Sequence, residues 1–351
     1  MKKFKILIAI LIGIITIIFV YNDDFLYKNE IMKITKVETI SVDSETNDLG
    51  IIEKYYHKKI YGIITNGKNK NKKREILYED TYSQVVTDRY RVLDKVIVKG
   101  SNIEGLKRDT YVAILLIAFI VLIYIVGNIE GLLSICSVIF NLIIFYIGLD
   151  FYFRGSNILL ICVIQSLIFS VSSLFIAGGI NKKTISAIVS VVTSTIIILM
   201  GLLIIVKVTN YKGINFNELS FLTVQVEDII LPELLIGMLG ASMDVSITMS
   251  SAIDELIEKD KNISVKNLKK SSKQIGKDIM STMTNVLFFT YLCSGLPIFV
   301  LATRNGFSIY NYITTNFSLE LTRFLVGSIG IIMTIPIATF ISIRVFKRGE
   351  C

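Results

Sequence analysis

The side chains that could do chemistry in this 351-residue chain stand inside its most apolar stretches. Asp244 lies in Gly240-Ala241-Ser242-Met243-Asp244-Val245, well within a run that reads as a membrane span. An acid at that depth costs roughly 2.5–3.5 kcal/mol on insertion scales, so it is expected to face protein or water. Gly237, Ala241, Asp244, Thr248 and Ser251 recur at three- and four-residue spacing, which puts them on one helical stripe. Gly237 and Ala241, with Gly240 beside them, would let another helix come close. Such a stripe suits a protonatable group or cation ligand in a pathway. The alternative is a structural acid bonded to hydroxyls of a neighbouring helix. The expectation is that Asp244 faces the bundle interior.

The next span offers a partner. Asp278, Ser281/Thr282 and Asn285 share a face, with the hydroxyl of Thr284 beside them. Consecutive spans run in opposite directions, so Asp244 and Asn285 should lie at similar depth, within contact. The plainer reading has Asn285 bonding a backbone carbonyl. Nearer the opposite end, Glu233, Glu320 and Arg323 fall close to helix ends, and Arg323, Gly327, Gly330 and Thr334 follow one stripe. Arg323 could hold an anionic substrate or pair with Glu233 or Glu320, and the ion pair is favoured. Between spans, Ser264 reads as an N-cap. Val265, Leu268, Ser272 and Ile275 oppose Lys266, Lys269, Lys270 and Lys273, a basic amphipathic pattern that suits contact with an anionic leaflet. Ordinary enrichment of cytoplasmic loops in lysine explains it equally well.

Other chemistry is excluded by composition. Hydrophobic residues make up 52% of the chain and charged ones 19%, too apolar a balance for a soluble enzyme or nucleic-acid-binding module despite a net charge of +8. There are 4 Cys and 1 His, with no CxxC, HExxH, phosphate loop or GxSxG elbow, so no metal, cofactor or catalytic centre is expected. The lone His57, beside two lysines, reads as a surface residue.

These residues need a scaffold of spans. Lysines precede an apolar run at residues 4–21, whose large Phe19, Val20 and Tyr21 argue against signal cleavage and for an uncleaved anchor (1–21). Residues 22–109 are polar, with strand candidates at Ile31–Ile40, Lys58–Thr65, Arg74–Tyr78, Tyr90–Leu93 and Lys95–Lys99; Asn66-Gly67 marks a turn and Lys68–Arg74 a basic hairpin loop. Seven spans are expected after that, at about Tyr111–Gly127, Leu132–Leu149, Asn157–Ile180, Ile185–Val208, Ile229–Ser251, Ser281–Ala302 and Arg323–Val345. The predicted architecture is mostly α: an eight-helix polytopic membrane bundle with a small β-rich extracytoplasmic domain, the seven-helix part covering 110–351 and carrying a basic cytoplasmic loop at about 254–277. Lys and Arg concentrate in alternate loops, which places both termini in the cytoplasm and residues 22–109 outside the cytoplasmic membrane.

Taken together, Gly237-Met-Leu-Gly240-Ala241-Ser-Met-Asp244-Val245, Gly276-Lys277-Asp278-Ile279-Met280-Ser281-Thr282-Met283-Thr284-Asn285, Glu320-Leu-Thr-Arg323-Phe-Leu-Val-Gly327-Ser328-Ile329-Gly330 and Pro336 resemble the YibE/F family of polytopic membrane proteins. Lys277 and Ser281 stand where that family usually has Arg and Gly. Leu93-Asp94-Lys95-Val96 stands where a Gly-Asp-x-Val turn is usual. The resemblance implies the same layout of anchor, β-rich segment and seven spans, and supplies no substrate. The expected function is permease-like movement of a small solute or ion across the bilayer, with Asp244 as coupling or binding acid, Asn285 its polar partner and Arg323 an outer gate. The alternative is a membrane scaffold or sensor whose outer domain binds an external partner.

Overall fold

The computed structural model describes residues 2–46, 50, 52–84, 87–209, 226–315 and 317–347. Most of the outer loop expected at Tyr211–Glu227, and the end of the tail at 348–351, lie outside the described residues. The elements run α1 (Lys2–Tyr21), a 3-10 turn (Asp23–Leu26), β1 (Glu30–Thr46), β2 (Ile52–Ile64), β3 (Lys73–Thr81), β4 (Lys95–Lys99), β5 (Asn102–Leu106), α2 (Asp109–Phe153), α3 (Ile158–Gly178), α4 (Lys182–Thr209), α5 (Val226–Lys259), α6 (Val265–Arg304), α7 (Ile309–Thr315) and α8 (Ser318–Phe346). They form two compact units, Met1–Ile129 and Glu130–Cys351.

The first unit carries one antiparallel sheet of order β3-β2-β1-β4-β5, with its edge strands β3 and β5 approaching each other. Alternation puts Val96 and Val98 of β4 into a core with Met32, Ile34, Ile60, Ile64 and Ile76. β1 and β2 stay paired past this core, with β3 alongside β2 as far as Tyr55, and Ile40, Val42 and Ile52 are exposed. His57 sits in mid-strand on β2, its Nε2 2.9 Å from Asp43 and its Nδ1 3.2 Å from Glu79.

One expectation needs correction here. Tyr90–Leu93 is not a strand: Tyr90 packs into the core against the Tyr78 ring, 4.8 Å between centroids, and Leu93 turns the chain with φ 79°. The turn expected at Asn66-Gly67 follows β2, and Asn66 is buried in it. Its Oδ1 accepts from Ile31 N at 2.6 Å, and its Nδ2 donates to the carbonyls of Asp24 (2.8 Å) and Asn29 (3.0 Å). Strand β5 was missed because Asn102-Ile-Glu-Gly-Leu106 does not alternate.

The strands are fastened to helix ends by buried lysines. The last carbonyls of a helix lack intrahelical donors. Lys107 Nζ supplies one to Val20 O at 2.9 Å, and Lys95 Nζ supplies one to Tyr21 O. Their charges are met by Asp23 (2.7 Å) and Asp109 (2.9 Å) on Lys107 and by Asp24 (2.8 Å) on Lys95. Pairing is what lets a lysine with no exposed side-chain surface remain charged. Tyr27 OH donates to Asp109 at 2.7 Å, closing the cluster.

Among the described residues, six helices are long and apolar enough to cross a membrane: α2, α3, α4, α5 from Asp228, α6 and α8. Helix α2 is interrupted at Asn128 (φ 49°, ψ −130°). In the second unit α5 and α8 are central, flanked by α3, α4 and α6. The C-terminal arm of α2 docks on α3, where Gly148 leaves room for Gln165, whose Nε2 donates to Ile144 O at 2.7 Å. Ser264 caps α6, accepting from Asn267 N at 3.2 Å. The apolar stripe of the first turns of α6 does not lie free for a leaflet. Leu268 packs, fully buried, with Ile253, Ile331, Ala338 and Ile343 of α5 and α8, and Val265 and Ile275 pack around them; Lys266, Lys269, Lys270 and Lys273 stay exposed.

Candidate functional site: polar groups at span depth

Three polar groupings lie within the apolar helices of the second unit. The first joins α5 to α8. Arg323 reaches Glu233 of α5 at 2.5 Å through one terminal nitrogen and Glu320, one turn away on α8, through the other. Glu320 and Arg323 are largely buried, with side-chain exposures of 11% and 16%. Two carboxylates on one guanidinium leave one net negative charge. Arg323 thus makes both of the pairs that the sequence offered as alternatives. Glu233 also lines a cavity of about 310 Å³ with Phe145, Gly148, Cys162, Gln165 and Pro232.

The second grouping is the stripe around Asp244, and its orientation departs from expectation. Gly237, Gly240, Asp244 and Thr248 are exposed, and Ala241 and Ser251 are half-buried. On α6, Asp278, Ser281, Thr282 and Asn285 are likewise exposed, and Thr284 is half-buried. The polar faces of both helices therefore look outward from the bundle. Tyr291 OH of α6 comes within 3.2 Å of where a Cβ on Gly237 would sit, which sets the two helices side by side. Ser250 of α5 meets Ser342 of α8, Gly276 of α6 lies against Ile335 of α8, and Gly327 of α8 lies against Leu287 of α6. Asp244 therefore falls near the level of Gly276–Asp278, and Asn285 lies about two turns away, near the level of Gly237, so the expected match in depth between Asp244 and Asn285 is not met. Among the described residues no hydrogen bond or ion pair engages either side chain; Thr248 bonds the backbone carbonyl of Asp244 at 2.7 Å.

The third grouping escaped sequence reasoning. The buried face of α5 is Leu235, Met238, Ser242, Ser246, Met249, Ser250 and Ile253. Ser250 meets Ser186 of α4 (3.3 Å) and Ser342 of α8 (3.0 Å), and Ser186 meets Ser342 (2.8 Å), so three buried hydroxyls close a ring. Higher in the seam, Gly330 of α8 lies against Met238, Ser242 and Ile198. α4 therefore runs antiparallel to α5, and α8 runs with it. Four-residue steps put Ser190 opposite Ser246 and Ser194 opposite Ser242. The signal was present as Ser186/Ser190/Ser194 and Ser242/Ser246/Ser250 at four-residue spacing, but serine counts as neither apolar nor charged in a periodicity search. The glycines on α8 divide their work: Gly330 admits α5, and Gly327 faces Leu287 of α6, whose Cδ1 lies 3.0 Å from its would-be Cβ. Gly240 has nothing within 4 Å of such an atom.

Among the described residues, a small antiparallel sheet precedes six helices of membrane-crossing length and apolarity that carry charged and hydroxyl groups, an arrangement that suggests a helical membrane protein. Residues 115–348 match the YibE/F-like protein family, and residues 25–112 match the YibE/F family N-terminal domain. The chain belongs to the YibE/F family. Neither the curated proteins nor the solved structures compared with it contain a match.

Proposed function

We propose that this chain is a multi-pass protein of the cytoplasmic membrane that moves a small solute or ion through its second unit. The 45 residues of α2 would span about 65 Å as one helix, twice the hydrocarbon thickness. Its break at Asn128 makes it two crossings. With α1, α3, α4, α5, α6 and α8 the count is eight, so both termini lie on one side. The lysines at the start of α6 and the arginine at the end of α8 support a cytoplasmic location for that side and an exterior one for the sheet. Lys266, Lys269, Lys270 and Lys273 are then free to meet anionic headgroups by charge alone.

The observation that carries the transport reading is the Asp244 carboxylate, exposed within an apolar helix and without a side-chain partner among the described residues. Hydrocarbon penalises such a group, so the face that holds it persists where water or a polar ligand reaches it. The sensor reading draws instead on the sheet, where Ile40, Val42 and Ile52 of β1 and β2 are exposed. Purified protein in proteoliposomes loaded with a pH dye tests the choice. Under an imposed pH gradient, wild type should move protons and Asp244→Asn should not. Equal rates in the two, with both correctly inserted, would make the acid structural and favour the sensor.

A further inference from the structure

Helical serines ordinarily return their hydroxyl to a carbonyl three or four residues back. Ser190 does so to Ser186 O (2.7 Å), Ser194 to Val191 O (2.9 Å) and Thr334 to Gly330 O (2.7 Å). Ser242 and Ser246, on the facing side of the same seam, do not. Each has no exposed surface, and each Oγ is buried without a hydrogen-bond partner. Ser242 Oγ is directed at Gly330, 3.7 Å from where a Cβ would stand, so the one residue without a side chain lies where this hydroxyl points. A buried hydroxyl left unpaired costs roughly 1–3 kcal/mol, and two of them one turn apart are a persistent demand for a partner.

The chemistry of that partner is narrow. The rungs Ser190–Ser246 and Ser194–Ser242 contain no charged side chain, so nothing there compensates an ion. Hydroxyls that both donate and accept suit a small neutral molecule that does the same. One turn beyond the hydroxyl ring, Lys183 and Asp254 pair at 3.2 Å, with Lys183 38% exposed, so the foot of the seam ends at a hydrated ion pair.

We propose that the α4–α5–α8 seam is a water-binding path, with bound water bridging Ser242 and Ser246 and the Ser186–Ser250–Ser342 ring forming its constriction toward the Lys183–Asp254 end. This is independent of any role of Asp244, which lies on the opposite face of α5.

Radiolytic hydroxyl-radical labelling tests it on the full chain in lipid nanodiscs, because radicals generated from bound water oxidise neighbouring methionines. Met238 and Met249 border the seam and are 1% and 0% exposed; Met32, 0% exposed in the sheet core, is the dry reference. Met238 and Met249 should be oxidised several-fold faster than Met32. In Ser242→Ala/Ser246→Ala their rates should fall to that of Met32. Wild-type rates at Met238 and Met249 no faster than at Met32 would overturn the path. So would fast rates that the double substitution leaves unchanged. Neither readout involves flux, so a failure here is distinct from a failure of the transport assay.

Discussion

Ser242 and Asp244 stand two residues apart on α5 and face opposite ways: Ser242 has no accessible surface, whereas Asp244 is exposed. Two residues turn a helix through about 200°. α5 is therefore polar on both sides, with a hydroxyl ladder toward α4 and α8 and a carboxylate facing away from them. A helix built this way serves two environments at once, and its two faces can be altered separately.

Arg323 should be a strong stability determinant. Arg323→Met leaves Glu233 and the largely buried Glu320 without their counter-charge, and breaking such a pair costs about 3–5 kcal/mol. Thermal unfolding in detergent should show a large loss for Arg323→Met. Arg323→Lys should be intermediate, because one ammonium lacks the fork that reaches both carboxylates. Adding Glu233→Gln and Glu320→Gln to Arg323→Met should restore much of the loss.

Leu93 holds φ 79° and is 66% exposed. The left-handed region costs a non-glycine residue roughly 1–2 kcal/mol, partly offset by the greater freedom glycine brings to the unfolded chain. Leu93→Gly should raise the stability of the sheet unit by about 0.5–1 kcal/mol, read as a higher melting temperature. A lower one would show that Leu93 is held by contacts outweighing its strain.

The topology is open to labelling at the β2–β3 loop. Lys68 is exposed beyond the buried Asn66, so Lys68→Cys in a background lacking the native cysteines should react with an impermeant maleimide in intact cells stripped of any outer barrier. Reaction only after lysis would place the sheet in the cytoplasm. Asn66→Ala serves as a folding control, since it strands the Ile31 amide and should cost about 1–3 kcal/mol.

The sheet unit should fail first on the alkaline side. Burial opposes the charge on Lys107, but Asp23 and Asp109 outweigh it and hold the ammonium above its ordinary value. Burial and Asp109 hold the Tyr27 phenol well up. Both groups bind their proton more tightly folded than unfolded. Their stabilisation is whole below about pH 10 and is lost as pH rises through the raised values. Tyrosine fluorescence of the full chain against pH should show this transition, and Lys107→Met with Tyr27→Phe should flatten it.

The six long apolar helices were legible because a long apolar run is a local property, and nothing non-local is needed to see one. Strand β4 was legible at Lys95–Lys99 for a similar reason, as were the Ser264 cap and the Glu320–Arg323 pair: alternation, capping and i+3 spacing are local relationships. Which face of α5 turns inward was not legible. Gly237/Ala241 and Ser242/Ser246 both allow close approach, and the choice fell to Met238, packed with α4 and α8, and to Val245, Met249 and Ile253, packed with α6 and α8, whose burial outweighs what the other face offers. The stripe on α6 shows the same limit: its amphipathicity is local, but whether lipid or protein covers Leu268 is decided by where α5 and α8 stand. The burial of Asn66, Lys95 and Lys107 belongs to tertiary structure as well. Each serves carbonyls or acids far away in sequence, and a polar side chain can be buried only where those distant partners converge.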